Sequence, residues 1–266
     1  MAFIINSELK KQLEEIAEVA GYLWEKGWAE RNAGNISINI SDIIGEDNKN
    51  LPALSGYALP RNMSVLAGDF FYVTGTGKRM RDVAKNPLEQ GSIVRVSADG
   101  NSYDIIAKKD IKPTSELPSH FSIHVSFKEK GSKNKLVLHT HPTDLIALSH
   151  IPELKSSEAI NQLLWGMHPE TFIVVPRGIG LDPYEVPGTL NLADASLKLL
   201  DKHDIIIWEK HGVLAVGENL SDTFDLIDTL SKSAQIYAFA KTCGHIPEGL
   251  TKEQIEGLIV PFGIVL

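Results

Sequence analysis

The sequence predicts a layered domain of mixed helices and strands, α+β or three-layer, and argues against a doubly wound parallel sheet. Two long helical runs stand near the two ends of the chain, and short apolar runs of strand length lie between them. Hairpins and helices are interspersed without the strict strand–helix alternation that a parallel sheet needs. The hairpin signal is Asp99-Gly100, between runs of β-branched and aromatic residues.

Residues 7–28 form the first helix, because Leu9, Leu13, Ile16, Ala17, Ala20, Leu23 and Trp24 share one face of a 3.6-residue period. Gly27 is placed to stop it. Residues 35–40 alternate, with Ile36, Ile38 and Ile40 on one face, and predict a strand. Residues 42–68 read as irregular, with Gly, Pro and Asn punctuation. A strand over 70–74 runs into the turn Gly75-Thr76-Gly77-Lys78, and strands over 92–97 and 103–107 flank the hairpin. Thr114 or Ser115 can cap a helix reaching about Lys128, with Pro118 tolerated in its first turn. A strand over 136–141 is followed by short helices over 144–149 and 156–165. A buried strand is expected over 171–175, a helix over 189–202, a long strand or hairpin over 204–217 around His211-Gly212, and a helix over 221–242 that stops at Gly244. The expectation is about eight strands and six helices.

Composition excludes several function classes. The chain has 266 residues with 43% hydrophobic and 23% charged, as in ordinary globular proteins. It shows neither a linker-like stretch nor a composition shift, so residues 1–266 are expected to form a single domain. A net charge of −8 argues against nucleic acid and anionic membranes as partners, though not against a small phosphorylated substrate. No apolar run approaches the ~20 residues of a membrane helix. The mixed charges in residues 1–15 do not fit a signal peptide. Cys243 is the only cysteine, so no internal disulfide forms, and a cytoplasmic setting is expected.

The chemistry concentrates at His139-Thr140-His141, which closes the apolar run 136–138. In an extended chain residues i and i+2 share a face, so both imidazoles point the same way. Neutral imidazoles side by side are poor core filling and good ligands for a divalent metal. His211 leaves the apolar strand at 205–208 just before a glycine and is the third candidate. Three protein ligands and one free position is the arrangement of catalytic rather than structural zinc. Glu116 follows Thr114 and Ser115 at a predicted helix start. That segment can act both as a helix cap and as an anion site. His120, four residues on, shares its helical face and is placed to orient the carboxylate. The turn at 75–78 resembles the tail of a P-loop, but Tyr72 stands where the motif should open and Arg79 follows the lysine where Ser or Thr is needed, which argues against an ATPase. Such a turn, and the similar one at 31–35, can still present amide and hydroxyl donors to an anion.

Together these segments resemble the class II aldolase/adducin family. The motifs are 26–35 (KGWAERNAGN), 73–78 (VTGTGK), 113–118 (PTSELP), 139–148 (HTHPTDLIAL), 186–189 (VPGT) and 211–213 (HGV), in order along most of the chain. The resemblance implies a three-layer α/β/α fold around a central, mostly antiparallel sheet. It also implies a zinc-dependent (Zn2+) lyase acting on a sugar phosphate, assembled as a homotetramer with sites at subunit interfaces. By that likeness the metal ligands map to His139, His141 and His211, and the active-site glutamate to Glu116. Phosphate-binding residues map to Asn32, Gly34, Asn35, Thr76, Thr114 and Ser115. A second glutamate, contributed by a neighbouring subunit, falls by position at Glu170. Thr76 stands where the family pattern suggests serine, a change that keeps the hydroxyl.

Sister activities on the same fold remain open: another sugar-phosphate aldolase, or a pentulose-phosphate 4-epimerase. A non-catalytic adducin-like module is a further alternative, disfavoured by the complete set of three histidines and a glutamate. A cupin-type oxygenase would need a nearly all-β chain, which the helical runs contradict.

Overall fold

Nine strands form one sheet in the computed structural model, which describes residues 3–265. They are β1 (Asn35–Asn39), β2 (Ser55–Ala58), β3 (Phe70–Thr74), β4 (Gly91–Val96), β5 (Ser102–Ile105), β6 (Leu136–Thr140), β7 (Ile179–Asp182), β8 (Ile205–Trp208) and β9 (Gly212–Gly217). Their order across the sheet is β2-β5-β4-β3-β1-β6-β9-β8-β7. Every neighbouring pair is antiparallel except β7 with β8.

Alternation along the central strands creates two buried faces. Ile36, Ile38, Leu136, Leu138, Val213 and Ala215 face a core shared with helices Ser7–Glu25, Thr143–Leu148, Ser157–Met167 and Leu220–Thr242. Phe71, Val73, Val137, Ile206, Trp208 and Leu214 face the opposite side, where helices Leu117–Glu129 and Leu190–Leu200 pack on them and on each other. The result is the expected three-layer arrangement of helices, sheet and helices.

The first helix begins where Asn6 accepts the Leu9 N–H at 2.8 Å, an N-cap, and ends at Glu25 before the left-handed Gly27. Leu117–Glu129 starts later than its composition suggests. Glu116, not Thr114 or Ser115, occupies the cap position, and no side chain caps it.

Two further expectations are corrected. Residues 171–175 are not a strand: Pro169–Val174 is a helix, with Pro169 in its first turn and Glu170 next to it. Burial of Thr171, whose hydroxyl lies 2.5 Å from the Ser233 hydroxyl, and of Phe172 overrides the β-branched propensity there. The strand in this region is β7, masked in the sequence by Gly178 and Gly180. Within 42–68, β2 is an edge strand whose residues are half-buried or exposed, so it carries no apolar signature. No helix among the described residues is long and apolar enough to cross a membrane.

The register brings the site together. Asn35 pairs with His139, and Thr140 pairs with Val213. Gly75 bridges to Pro113. The start of β1, the ends of β3 and β6, and the start of β9 therefore meet at one edge of the sheet's centre.

Candidate metal centre and active site

His139 ends β6 and is almost fully buried. Its Nδ1–H donates to the Val213 carbonyl at 2.9 Å, which leaves Nε2 as a bare acceptor. His141 lies past the strand end. Its Nδ1–H donates to the Glu30 carboxylate at 2.9 Å, which again leaves Nε2 bare. The two Nε2 atoms are only 3.2 Å apart. Two lone pairs at that distance repel unless a cation stands with them, and burial opposes a proton on His139.

His211 sits in the tight turn from β8 to β9. Lys210 there adopts a left-handed φ of 61°, and the His211 N–H donates to Trp208 O at 3.0 Å. Its ring stacks on Trp208 with centroids 5.2 Å apart. One ligand atom from each of His139, His141 and His211 falls within a set no wider than 4.8 Å. Burial holds His139 well below the usual imidazole range and His211 at about 4, with the neighbouring histidines pushing the same way. Both are neutral at physiological pH, as metal ligands must be. This donor set fits a divalent metal.

Gly212 makes the cluster possible. A Cβ there would lie 2.6 Å from His139 Cε1, 2.7 Å from the Thr140 carbonyl and 2.8 Å from His141 Cδ2. Any side chain would displace both imidazoles.

Glu116 faces the cluster from the opposite wall. Its Oε1 is 3.4 Å from His211 Nε2 and its Oε2 is 3.6 Å from His139 Nε2. Burial raises its pKa above the ordinary carboxylate value. A hydrogen bond from Asn35, 2.7 Å from Nδ2 to Oε2, and the charge of His141 act against that rise. A buried carboxyl with a raised pKa beside the neutral imidazoles of His139 and His211 is suited to carrying protons.

These groups line a cavity of about 200 Å3. Of the eleven residues expected at the site, ten line it: Glu116, the three histidines, Asn32, Gly34, Asn35, Thr76, Thr114 and Ser115. Glu170 is the exception. It lies on the first turn of helix Pro169–Val174, 3.1 Å from His168 Nε2 and largely exposed. Thr76 and Thr114 donate their N–H groups to the Lys112 and Thr74 carbonyls, so their hydroxyls are what they can offer a ligand. The Asn35 amide is already engaged with Glu116, which gives it a task beyond anion binding. No lysine or arginine lines the cavity among the described residues, so an anion there meets neutral donors. A larger, apolar cavity of about 710 Å3 lies between helix Ser157–Met167 and residues 250–259, away from every polar convergence described above.

Glu30 and Gly212 fall inside sequence motifs but, like Trp208, receive no role from the sequence, since each acts only through contacts that the fold creates. Removing the Glu30 carboxylate (Glu30→Ala) should weaken metal binding about 10–100-fold, the usual cost of losing an outer-shell partner. Competition against a chromophoric chelator measures it, and unchanged affinity would rule out the orienting role.

The family described as Class II Aldolase and Adducin N-terminal domain matches residues 14–238. The chain belongs to the class II aldolase and adducin family. Its similar proteins include a rhamnulose-1-phosphate aldolase of Bacteroides thetaiotaomicron, 45% identical over 261 residues and 96% of each chain. A rhamnulose-1-phosphate aldolase of Klebsiella pneumoniae is 36% identical over 91% of this chain and 89% of its own. Among solved structures, a sugar-phosphate aldolase from Thermotoga maritima superposes with a TM-score of 0.79 at 30% identity, covering 91% of this chain and 99% of that one. An L-fuculose 1-phosphate aldolase shares the fold, with a TM-score of 0.63 at 18% identity over 99% and 100% of the two chains. Class II aldolases are metal-dependent, in keeping with the three-histidine cluster.

Proposed function

We propose that this chain is a zinc-dependent aldolase that cleaves L-rhamnulose 1-phosphate reversibly to dihydroxyacetone phosphate and L-lactaldehyde. The observation that carries this reading is the convergence of three imidazoles on one point with the buried Glu116 carboxylate 3.4–3.6 Å from two of them. The close likeness to rhamnulose-1-phosphate aldolases supports the choice of substrate.

His139, His141 and His211 would hold the zinc. Three neutral nitrogen donors suit it, and it would supply Lewis-acid stabilisation of charge developing on the substrate oxygens as the C–C bond breaks. Thr76, Thr114 and Ser115, with the turn carrying Asn32, Gly34 and Asn35, receive the phosphate and fix the dihydroxyacetone phosphate half. Glu116 delivers a proton to the carbon released by cleavage and removes it in the reverse direction. The aldehyde half leaves after its hydroxyl loses a proton, and Glu170 of a neighbouring copy is proposed to assist there. The reading includes a homotetramer, a single domain over 1–266 and a cytoplasmic setting.

The test is a substrate comparison. Purified protein is given L-rhamnulose 1-phosphate, its fuculose epimer and a pentulose 5-phosphate, with dihydroxyacetone phosphate and epimerised product both assayed. The rhamnulose ester should show the highest kcat/KM. A preference for the fuculose ester, or epimerisation without cleavage, would replace this reading by a sister activity.

A further inference from the structure

Behind Glu116 lies a line of buried polar groups, of which the proposed chemistry uses only Asn35. β1 presents Asn35 and Ser37 on the face covered by helix Leu117–Glu129. Glu116, His120 and His124 stand four residues apart at that helix and form a matching stripe. The two rows interlock. Asn35 Nδ2 is 2.7 Å from Glu116 Oε2, and Asn35 Oδ1 contacts His120 Nε2. His120 Nδ1 is 2.7 Å from Ser37 Oγ, and that hydroxyl is 2.8 Å from His124 Nε2. Ser37, His120 and His124 are at most 3% exposed. The His124 ring is walled in by Phe71, Phe121 and Phe127.

We infer that His124, Ser37, His120 and Asn35 form a one-directional chain of donors that pins Glu116 Oε2 and leaves Oε1 as the atom that carries the proton. This rests on the proposed role of Glu116. The direction follows from counting donors. A carboxylate only accepts, so Asn35 must turn its NH2 to Oε2 and its carbonyl to His120. His120 must then carry its proton on Nε2 and accept at Nδ1 from the Ser37 hydroxyl. Ser37 in turn accepts from a protonated His124 Nε2. Each bond polarises the next, and every donor points toward the carboxylate.

Among the described residues Oε1 accepts no hydrogen bond, so the catalytic proton has one place to reside. The chain does not conduct protons, because an amide cannot pass one along. His120 and His124 are therefore positioning residues. Reversing the chain would require a proton on Oε2, which would take Oε1 out of the chemistry.

Two measurements on the metal-loaded enzyme test this. The 15N NMR spectrum of histidine-labelled protein, without substrate, should show His120 and His124 both neutral and protonated at Nε2. An Nδ1-protonated His120, or a charged ring at either position, would overturn the inference. His120→Phe, which keeps a ring but loses the donor, should lower kcat about 10–100-fold, the range for lost outer-shell partners, with KM and metal content unchanged. His120→Gln, which restores an amide donor, should recover most of that loss. Equal kcat in the Phe variant and wild type, or no recovery with Gln, would also contradict the chain. If the Phe variant does not fold, the tautomers of the wild type decide. Inactivity of the wild type on all ketose 1-phosphates would count against the proposed function alone, because the tautomers are read without turnover.

Discussion

Replacing Glu116 by glutamine should reduce C–C cleavage by about 10²–10⁴-fold, the range ascribed to positioned acid–base groups, while metal content and KM stay near wild type. Glutamine keeps the shape and an oxygen that can still accept from Asn35 Nδ2, now 2.7 Å from Oε2. What is lost is the exchangeable proton. Because Glu116 is buried and not within bonding distance of a second carboxylate, no nearby side chain is placed to substitute for it. A fall in kcat with KM unchanged would mark an interaction made only in the transition state. Near-normal turnover would remove Glu116 from the chemistry, and a large rise in KM would make it a binding group instead.

The second large effect is expected at His139. This imidazole is fixed from behind by the Val213 carbonyl, packs on Trp208 with centroids 4.6 Å apart and faces both other histidines. His139→Ala leaves two imidazoles, too few for the three-nitrogen site of a catalytic zinc. After dialysis the variant should hold well under stoichiometric metal and have activity comparable to chelator-treated wild type. The loss in affinity should exceed the roughly 10–100-fold expected for outer-shell changes such as Glu30→Ala. Full metal content in this variant would refute the ligand assignment.

The buried His120 and His124 also make stability depend on pH. Burial lowers each from 6.5 to about 3. Between those values the unfolded chain binds protons that the folded chain refuses. Their contribution is therefore complete above about pH 6.5 and is lost progressively as pH falls toward 3, with up to two protons taken up on unfolding from this pair. The denaturant midpoint should drop steadily on acidification below neutrality, and His124→Phe should flatten that slope. A midpoint independent of pH across the window would mean that the two rings are not held neutral.

The site was legible from sequence wherever a local pattern implies a shared face. His139 and His141 follow from strand alternation, and Glu116 with its hydroxyl neighbours follows from helix-start chemistry. His211 needed the companionship of the other two, because a histidine before a glycine has many structural uses. The long helices and central strands follow from their periodicity. What the sequence hid depends on contacts between distant segments. Glu30 matters only because His141 folds against it, and Ser37 and His124 only because β1 slides under helix Leu117–Glu129. The Pro169–Val174 helix was disguised as a strand by its β-branched residues, and Pro169 in its first turn was the signal against that reading. β2 and β7 lie toward or at the two edges of the sheet, where short strands with glycine or exposed residues carry little alternation.

The most direct test of a metal-dependent aldol cleavage at this site is release of dihydroxyacetone phosphate from L-rhamnulose 1-phosphate by three preparations: the protein loaded with zinc, stripped by chelator, and restored with zinc. Cleavage should be present in the first, absent in the second and recovered in the third as metal reaches stoichiometry with the chain. Undiminished cleavage by the stripped protein would contradict the account.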